Sequence, residues 1–480
     1  MSLASNIPIG SARLLDVLNR QRASLQASGI ESAEVRVDRI QRAINLLVDQ
    51  ENVLCEAMSA DFGYRPTMMS KMTDIVPAIR ALKYARANVA GWMADEDRAL
   101  SEPYKGLGAG ARVRFQPKGV VGNITPWNAP VNVFFSPLSG MLAAGNRVMV
   151  KPSEFTPATA ELLRELIARY FNETEIAVFP GGPEVGAQFA SLPFDHLLFT
   201  GSTQVGRLIL AAAAKNLVPV TLELGGKSPV IVGRTADIDL AADRIVLGKL
   251  LNAGQICLSP DYILVPQDMR DSLVAKIKDC ARKCYPDAQQ NKDYTAIINE
   301  RHRQRVDSLI ADARGQGAAV QEVNGFEGAA LSGNKRPLTL ILNPQEHMKA
   351  MREEIFGPLL PIVTYETIAD AVGKVNARPC PLGLYYFGND PEEEAFVISN
   401  TVSGAVTVND VMSHVVHEQL PFGGIGPSGM GAYHGIDGFR TFSHSRAIFR
   451  QTSADLAGMA GTRPPFGSAL EKTLSSVISK

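Results

Sequence analysis

Short apolar runs alternate with helical stretches from residue 118 onward, and this alternation constrains the fold more than any other feature of the chain. In the first block, the runs lie at residues 120–121, 147–150, 176–179 and 196–200. A second block starts near Gly225 and has the run 229–232. A strand-like run, a helix and another strand-like run in succession are typical of βαβ units. The sequence therefore predicts an α/β protein with mainly parallel sheets.

The residues before this region have a different pattern. Apolar side chains recur at helical spacing through the first hundred residues, for example at Val37, Ile40 and Ile44. Residues 101–117 are rich in glycine and then become extended, which predicts an arm or a hairpin. Because 480 residues are too many for one ordinary core, we expect two or three domains.

Composition and charge exclude several classes of partner. Hydrophobic residues make up 45% of the chain and charged residues 20%, which is typical of soluble globular proteins. A net charge of −1 gives no general attraction to nucleic acid or to anionic lipid. Residues 1–13 lack a signal-peptide pattern, and no apolar run approaches membrane-spanning length. We therefore expect a cytoplasmic protein without a nucleic-acid partner and without an integral membrane segment.

The five cysteines and seven histidines show no metal-binding pattern. Cys280 and Cys284 lie four residues apart on a predicted helix, but no further ligands are nearby. His414 and His417 form no recognised ligand set, and we interpret them as loop residues. The sequence therefore predicts no metal site.

Two local motifs carry groups with complementary chemistry. Cys257 ends the run Asn252-Ala-Gly-Gln-Ile-Cys257, and it follows Glu223 in Leu222-Glu-Leu-Gly-Gly-Lys227 by 34 residues. A thiol can add to a carbonyl carbon, and a carboxylate can activate the water that later releases an acyl group. The ordinary alternative is that the cysteine is a small buried apolar residue and that the glutamate is a solvated surface residue.

A third motif has the geometry of an anion-binding turn. Gly201-Ser-Thr-Gln-Val-Gly206 follows a predicted strand and begins a helix. We predict that Val205, Leu208 and Ile209 lie on the apolar face of that helix. Such a turn directs backbone N–H groups and the positive end of the helix dipole at an anion, as dinucleotide sites require. The spacing of the glycines differs from the standard Rossmann fingerprint, so a plain strand-to-helix turn is the alternative.

The motifs around Cys257 and Glu223 resemble, nearly word for word, the active-site motifs of the aldehyde dehydrogenase superfamily. Seven motifs of the chain resemble that family in its own order, at residues 125–130, 151–154, 199–206, 222–229, 252–258, 353–358 and 420–435. In motif detail the chain is most similar to the class 3 branch and, within it, to coniferyl aldehyde dehydrogenases. The resemblance implies a Rossmann-like parallel-sheet nucleotide domain, an α/β catalytic domain and a small oligomerisation arm.

The resemblance also implies domain boundaries. The implied parts are an NAD(P)-binding domain at residues 1–98 and 118–223, an arm and carboxyl-terminal tail at 99–117 and 438–480, a catalytic domain at 224–425, and a return to the nucleotide domain at 426–437. An arm of this kind implies a homodimer or a higher homo-oligomer. The amphipathic piece 470–478 could pack on a partner chain or lie on a membrane surface.

Three residues receive catalytic roles from the resemblance. Cys257 is implied to be the nucleophile, and Glu223 the general base for hydrolysis. Asn128, in Thr125-Pro-Trp-Asn-Ala-Pro130, is implied to donate its side-chain amide to the oxygen that becomes negative in the tetrahedral adduct. The implied reaction is the NAD(P)-dependent oxidation of an aromatic or medium-chain apolar aldehyde to the carboxylic acid, through a Cys257 thiohemiacetal and thioester.

The cofactor residues are implied in the same way. Lys151 and Glu154 are implied to hold the adenosine ribose hydroxyls, although an ordinary solvated ion pair is the alternative. A carboxylate there repels a 2′-phosphate, which favours NAD while leaving NADP possible. Glu354 is implied to accept the hydroxyls of the nicotinamide ribose, with Phe356 beside the ring. The remaining implied cofactor residues are Trp127, Gly201, Ser202, Gly206 and Leu224.

The substrate pocket is the least constrained part of the resemblance. Phe422, Met412 and His414 are implied to line it, although packing is an equally good interpretation of Phe422. Many class 3 relatives carry Thr where this chain has Ile256, which could change the fit of the substrate.

Three other functions share parts of the pattern. A CoA-acylating semialdehyde dehydrogenase has the same fold and thiol chemistry but typically lacks the base glutamate. A phosphorylating reductase would need phosphate-handling residues that the sequence does not identify. A catalytically inactive structural relative would be expected to lose Cys257 or Glu223. Because both are present, the sequence favours a non-acylating aldehyde dehydrogenase.

Overall fold

The computed structural model describes residues 10–323 and 333–479, which divide into two units. The larger unit comprises the described residues up to Trp92 together with Pro117–Ser443, and the smaller comprises Met93–Gln116 together with the described residues from His444 onward. Residues 1–9 lie outside the described residues, and they are most of the segment in which the sequence shows no signal-peptide pattern. The domain boundaries implied by the sequence stay predictions.

The strands of the described residues are, in chain order, β1 (Glu96–Asp97), β2 (Gly110–Pro117), β3 (Val120–Ile124), β4 (Arg147–Lys151), β5 (Ile176–Val178), β6 (His196–Thr200), β7 (Val220–Glu223), β8 (Pro229–Val232), β9 (Tyr262–Pro266), β10 (Ala319–Glu322), β11 (Thr339–Leu342), β12 (Leu359–Tyr365), β13 (Gly383–Phe387), β14 (Ala405–Val408), β15 (Gly429–Met430) and β16 (Ser443–Arg450). The α-helices there are α1 (Ser11–Ser28), α2 (Ala33–Asp49), α3 (Glu51–Asp61), α4 (Thr67–Ser70), α5 (Val76–Trp92), α6 (Asn132–Ala143), α7 (Pro157–Tyr170), α8 (Pro183–Ala190), α9 (Thr203–Ala214), α10 (Ile238–Leu250), α11 (Arg270–Cys284), α12 (Glu300–Gly315), α13 (Lys349–Arg352), α14 (Ile368–Asn376), α15 (Pro391–Ser399), α16 (Gly435–Thr441), α17 (Leu456–Met459) and α18 (Ser468–Ile478). Lys71–Ile75 forms a π-helical turn, and Leu251–Gly254 and Ser413–Val416 form 3-10 turns.

The first large sheet of the larger unit has the spatial order β15-β7-β6-β3-β4-β5. Strands β3 to β7 are parallel, and β15 runs antiparallel to β7. Leu18 of α1, Phe189 of α8 and Ile209 of α9 belong to the buried cluster that covers this sheet. Because the strands are parallel, the carboxyl ends of β3, β4, β6 and β7 meet at one edge, which is where α/β sheets bind ligands.

The second large sheet has the order β10-β11-β12-β9-β8-β13-β14. All its neighbouring strands are parallel except β10 and β11. Strand β8 follows β7 after residues 224–228, so the same short segment leaves one sheet and enters the other. Every residue of β8, β9 and β13 is buried, which explains their nearly continuous apolar runs.

The prediction of an α/β protein with mainly parallel sheets is confirmed by this topology. One finer prediction is wrong. Val205 and Leu208 are 42% and 66% exposed, whereas Ile209 and Ala213 are buried. Ile209 of the predicted face is buried, but the buried face of α9 continues through Gly206 and Ala213, and a Cβ at Gly206 would lie 2.7 Å from the Leu224 side chain.

The smaller unit contains a sheet of order β1-β2-β16 and the helices α17 and α18. Leu474, Val477 and Ile478 of α18 are exposed. None of the helices in the described ranges combines the length and apolar character needed to cross a membrane. What the tail packs against stays a prediction.

Candidate active site

The implied catalytic and cofactor residues follow the carboxyl ends of neighbouring parallel strands. β3 ends at Ile124 and leads to Trp127 and Asn128, while β4 ends at Lys151 and β7 ends at Glu223. In the first large sheet β3 lies beside β4, and β6 lies between β3 and β7. The topology therefore gathers motifs that are far apart in the sequence at the ligand-binding edge of one sheet.

Cys257 is reached through a turn with unusual backbone geometry. Asn252, Ala253 and Gly254 have φ values of 49°, 54° and 75°, so three successive residues adopt the left-handed conformation. A Cβ at Gly254 would overlap the carbonyl oxygen of Gly357, which explains the glycine. A non-glycine residue in such a conformation costs about 1–3 kcal/mol and persists only where the surroundings hold it.

Buried side-chain amides hold this turn. Asn128 Nδ2 donates a hydrogen bond to the Gln255 carbonyl oxygen at 3.1 Å. Asn252 Nδ2 donates to the Asn128 carbonyl oxygen at 3.0 Å and to the Gln255 carbonyl oxygen at 3.3 Å. An amide nitrogen carries two N–H groups, so the bond to Gln255 leaves Asn128 one donor for a bound oxygen. The amide of Asn128 is therefore fixed beside the cysteine turn.

Gln255 is a positioning residue that the sequence analysis did not assign. Its Nε2 donates to the carbonyl oxygens of Asn252 at 3.0 Å and Ala296 at 3.1 Å, and its Oε1 accepts the N–H of Ile298 at 3.0 Å. A buried amide with all these partners ties the cysteine turn to the segment before α12. The sequence signal that could have identified Gln255 is its position as a polar residue between Gly254 and the apolar Ile256.

Cys257 is half-buried as a residue. Burial raises the pKa of its thiol to about 12, with smaller contributions from the Glu354 and Glu223 carboxylates. Because the thiolate is the nucleophilic form, the cofactor-free protein holds Cys257 as the thiol near neutral pH.

Glu223 is a buried carboxyl group, 2% exposed, at the end of β7. Its backbone lies between Thr200 of β6 and Gly429 of β15. Both carboxyl oxygens are without a hydrogen-bond partner among the residues that the structure describes. Burial raises the pKa of Glu223 well above its ordinary value. The raised pKa favours the protonated form at rest, and the ionised form is correspondingly a stronger base than an exposed carboxylate.

Glu354 approaches the segment that follows Glu223. A Cβ at Gly225 would overlap the Glu354 carboxylate, so glycine is required for this close approach. The pKa of Glu354 is raised to about 8, mainly by burial and to a smaller extent by Asp261, while a hydrogen bond from the Gly226 N–H lowers it. Glu223 and Glu354 both lie within electrostatic reach of the Cys257 thiol.

Asp261 anchors this arrangement and was also missed at the sequence level. Its carboxylate pairs with Lys227 and accepts the Ile355 N–H at 3.0 Å. Lys227 Nζ donates in addition to the carbonyl oxygens of Ala350 at 2.8 Å and Glu353 at 3.0 Å. The buried pair therefore links the glycine motif after Glu223 to the segment that carries the implied cofactor residues of 353–358.

An aromatic cluster surrounds Trp127. Its ring centroid lies 4.8 Å from that of His302 and 5.2 Å from that of Phe356, and Phe155 lies 5.2 Å from His302. The implied cofactor residues Trp127 and Phe356 are thus neighbours, and His302 completes their cluster. His302 stands in a plain helical segment, α12, and no sequence signal pointed to it.

Lys151 and Glu154 form an ion pair, with Nζ 2.9 Å from Oε2. The Lys151 side chain is buried, and that of Glu154 is 35% exposed. This ion pair uses one carboxylate oxygen of Glu154, and the second oxygen takes no part in it. The positive charge of Lys151 also offsets part of any repulsion that the Glu154 carboxylate would exert on a bound phosphate.

The turn at the start of α9 has the features of an anion-binding helix end. Ser202 caps the helix, and its hydroxyl accepts the Val205 N–H at 3.4 Å. A Cβ at Gly206 would lie 2.7 Å from the side chain of Leu224, which fixes the helix close to the end of β7. The exposed first turn leaves backbone N–H groups available to an anion.

The implied substrate residues lie in the segment that covers the end of β7. Phe422 forms an isolated β-bridge with Tyr433, and their ring centroids are 5.5 Å apart. Burial raises the pKa of Tyr433 well above its ordinary value, and the charges of Glu223 and Cys257 raise it further. Phe422 thus contacts a tyrosine that is within electrostatic reach of Glu223 and Cys257.

Met412 and His414 lie in a loop of the same segment. Met412 has a φ of 65° and packs close to Gly248 of α10. His414 is buried in the turn Ser413–Val416, and its Nδ1 shares a hydrogen bond of 2.8 Å with Thr407 Oγ1. No group of three or more metal-ligating side chains occurs in residues 10–323 and 333–479.

Comparisons with a protein family and with individual proteins both identify aldehyde dehydrogenases. Residues 20–448 match the aldehyde dehydrogenase family. A probable coniferyl aldehyde dehydrogenase of Caulobacter vibrioides is 52% identical over 97% of this chain and 96% of its own length. The coniferyl aldehyde dehydrogenase of a Pseudomonas species is 48% identical, covering 98% of each chain.

Solved structures are also similar. The substrate-bound AldH of Staphylococcus aureus superposes with a TM-score of 0.89 at 33% identity, covering 96% of this chain and 99% of that one. An aldehyde dehydrogenase of Mycobacterium tuberculosis in complex with NAD+ superposes with a TM-score of 0.84 at 27% identity, covering 93% and 92% of the two chains. These similarities confirm the prediction of an aldehyde dehydrogenase fold.

The raised pKa of Cys257 predicts slow alkylation of the cofactor-free protein. With the pKa at about 12, the thiolate fraction rises about tenfold per pH unit, so the rate with iodoacetamide should rise about a hundredfold from about pH 7 to about pH 9 without a plateau. Mass spectrometry of the Cys257 peptide separates it from the other cysteines. A free thiol, which titrates near pH 8.5, is the control. A plateau below about pH 8 would show that the protein stabilises the thiolate.

Proposed function

Since the chain belongs to the aldehyde dehydrogenase family, we propose that it oxidises hydroxycinnamyl-type aldehydes, such as coniferyl aldehyde, with NAD as the preferred acceptor. NAD(P)-dependent oxidation of an aldehyde to the acid is the activity of the family, and the relatives at 52% and 48% identity are named for coniferyl aldehyde. The observation that carries the proposal is the hydrogen bond from Asn128 to the cysteine turn, together with a buried Glu223 within electrostatic reach of Cys257 whose carboxyl oxygens have no partner among the described residues.

Cys257 is proposed as the nucleophile. Its sulfur adds to the aldehyde carbon, and the carbonyl oxygen becomes negative in the adduct. The remaining N–H of Asn128 and the backbone N–H of Cys257 would donate to that oxygen. Their fixed placement supports this role, because donors that need no rearrangement stabilise the adduct most.

Glu223 is proposed to act in hydrolysis of the Cys257 thioester. Its unpartnered oxygens can bind a water, take a proton from it and return a proton to the departing sulfur. Burial raises the pKa of Glu223, and a raised pKa makes a carboxylate a stronger base once it is ionised. The products are the carboxylic acid and the free thiol.

The residues at the edge of the first large sheet fit a dinucleotide. Ser202 and the first turn of α9 offer N–H groups to the pyrophosphate, and Lys151 and Glu154 offer groups to a ribose. Glu354 would accept the hydroxyls of the other ribose, where Gly225 permits the close approach. Trp127 and Phe356 would form an aromatic wall with His302. When bound, NAD(P) supplies the acceptor for the hydride that the adduct loses.

Other features of the proposal concern assembly and location. We propose a homodimer or higher homo-oligomer in the cytoplasm, on the strength of the arm implied at residues 99–117. The nucleotide-binding role of residues 1–98 and 118–223 and the catalytic role of 224–425 belong to the same proposal. A CoA-acylating reaction is disfavoured because Glu223 is present at the reactive cysteine.

Aromatic aldehydes should be preferred to acetaldehyde. A larger apolar group gains roughly 25 cal/mol for each Å2 that it buries, and Phe422 and Tyr433 offer aromatic surface near Cys257. The ratio of kcat/KM for coniferyl aldehyde or cinnamaldehyde to that for acetaldehyde should be well above one. A higher kcat/KM for acetaldehyde would contradict the proposed substrate class.

NAD should be preferred to NADP because of Glu154. A carboxylate facing a 2′-phosphate costs on the order of 1 kcal/mol, and the Lys151 pairing keeps the margin modest. Glu154→Gln should therefore narrow the ratio of the two kcat/KM values about fivefold. Glu161→Gln, an exposed change on α7, serves as the control. An unchanged ratio in Glu154→Gln would show that this carboxylate does not read the ribose.

Two variants should separate the steps of the reaction. Cys257→Ala should abolish both NADH formation and acyl-enzyme formation. Glu223→Gln keeps the size of the side chain but removes the base, which is worth about 10²–10⁴ in rate. Single-turnover mixing of Glu223→Gln should show NADH approaching one equivalent per site, followed by stalled turnover and an acyl adduct on Cys257 by mass spectrometry.

The same experiment can contradict the assigned role of Glu223. Loss of the NADH burst would mean that Glu223 also deprotonates Cys257. Normal steady-state turnover of the variant would remove Glu223 from the mechanism.

A further inference from the structure

Cys257 occupies the second position of a tight turn. The Ser259 N–H donates a hydrogen bond to the Ile256 carbonyl oxygen at 2.9 Å, which joins the first and fourth residues of the turn. Cys257 and Leu258 are its two central residues. The direction of the Cys257 side chain therefore depends on how the peptide groups of this turn are held.

The peptide group between Leu258 and Ser259 is hydrogen-bonded at both ends. Its N–H is the donor to Ile256, and its carbonyl oxygen accepts a hydrogen bond of 2.5 Å from the Tyr385 hydroxyl. Tyr385 lies on β13 and is 0% exposed. A peptide that is held at both its N–H and its carbonyl cannot rotate without breaking a buried hydrogen bond, which is costly.

Strand β13 leaves room for this hydroxyl. Gly383 precedes Tyr385 by two residues and therefore lies on the same face of the sheet. A Cβ at Gly383 would lie 2.7 Å from the Tyr385 hydroxyl oxygen and 3.1 Å from the Leu258 side chain. The glycine thus permits the close approach of the tyrosine hydroxyl to the turn.

The chain after the turn is held by other groups. The buried Lys249 Nζ donates to the Pro260 carbonyl oxygen at 2.9 Å. The Asp261 N–H donates to the Ser228 carbonyl oxygen at 2.8 Å. These bonds fix the point where the loop enters β9, whereas the Tyr385 bond acts inside the turn.

The residue that Tyr385 holds also faces the sulfur. Burial is the main influence on the pKa of Cys257 and raises it, while hydrogen bonds to the sulfur from the backbone N–H groups of Cys257 and Leu258 lower it. The N–H that faces the sulfur and the carbonyl that is bonded to Tyr385 belong to the same residue, Leu258. Fixing the carbonyl therefore restricts the orientation of the N–H that stabilises the thiolate.

We propose that Tyr385 is a positioning residue for the nucleophile, acting through Leu258. Its hydroxyl holds the turn so that the Cys257 sulfur and the adjacent backbone N–H groups keep the geometry required for attack on an aldehyde. In that attack the S–C bond forms as the carbonyl π electrons move to the oxygen. The inference rests on the proposed function and adds a residue of the second large sheet to the site.

Tyr365 provides a matched control in the same sheet. Its hydroxyl donates to the Val232 carbonyl oxygen at 2.8 Å, and the residue is 3% exposed. Tyr365 belongs to the buried cluster of Leu384 and Tyr386, which alternate with Tyr385 along β13, so it lies on the opposite face. Replacing either tyrosine with Phe removes one buried donor to a backbone carbonyl, so both variants should lose similar amounts of Tm.

The first test measures the reactivity of Cys257 without cofactor or substrate. At about pH 9, iodoacetamide should alkylate Cys257 in Tyr385→Phe about fivefold more slowly than in the unmodified protein, because a hydrogen bond that orders the turn is lost. Tyr365→Phe should match the unmodified protein. Mass spectrometry of the Cys257 peptide gives the rates. Equal rates in the two variants would overturn the proposal.

The second test follows the NADH burst with saturating NAD and cinnamaldehyde. Tyr385→Phe should reduce the burst rate constant about fivefold, while the burst amplitude and the NAD concentration at half-saturation stay equal to those of Tyr365→Phe. A purely structural role would lower the amplitude in both variants, so a burst rate constant equal to that of Tyr365→Phe overturns the inference.

Failure of the proposed function gives a different result. The unmodified protein would then form no NADH with any aldehyde, whereas the alkylation rates would still decide whether Tyr385 positions the thiol.

Discussion

The hydrogen bonds among Asn128, Asn252 and Gln255 are the interaction on which the candidate site depends. They connect the loop after β3 of the first sheet to the turn that precedes the cysteine. That turn contains three successive left-handed residues, a costly conformation that its hydrogen-bonded surroundings must hold. The amides thus tie down the backbone that leads to Cys257, and such pre-orientation is what catalysis by a proposed nucleophile needs.

Incomplete solvation of titratable groups is the second organising constraint. Cys257, Glu223 and Glu354 are all shifted toward their neutral forms, with burial as the main cause. Each unpaired buried polar group costs about 1–3 kcal/mol. The fold tolerates this cost because the large hydrophobic cores around the two sheets supply the stability. Polar groups such as the Glu223 carboxyl can then remain without hydrogen-bond partners in the described residues.

Two aromatic groups lie near this edge and have different characters. Trp127, His302 and Phe356 form one group near the implied cofactor residues. Phe422, Tyr433 and His434 form the other, near Glu223. The first has a satisfied histidine, with its Nδ1 sharing a hydrogen bond of 2.8 Å with Asn299. The second has an imidazole nitrogen without a hydrogen-bond partner in the described ranges, so the two groups differ in how completely their histidines are hydrogen-bonded.

The sequence by itself determined the family and the parallel-sheet architecture, because these depend on local motifs and on strand periodicity, and the same motifs predicted roles for Cys257, Glu223 and Asn128. It did not identify Gln255, Asp261 or His302. Their importance comes from partners that are distant in the chain, such as Ala296 for Gln255 and Ile355 for Asp261. The buried face of α9 was also misjudged, because Gly206 and Ala213 pack inward while Val205 and Leu208 stay exposed. Only the tertiary structure decided these points, because burial and hydrogen-bond satisfaction are properties of the packed environment and not of the residue type.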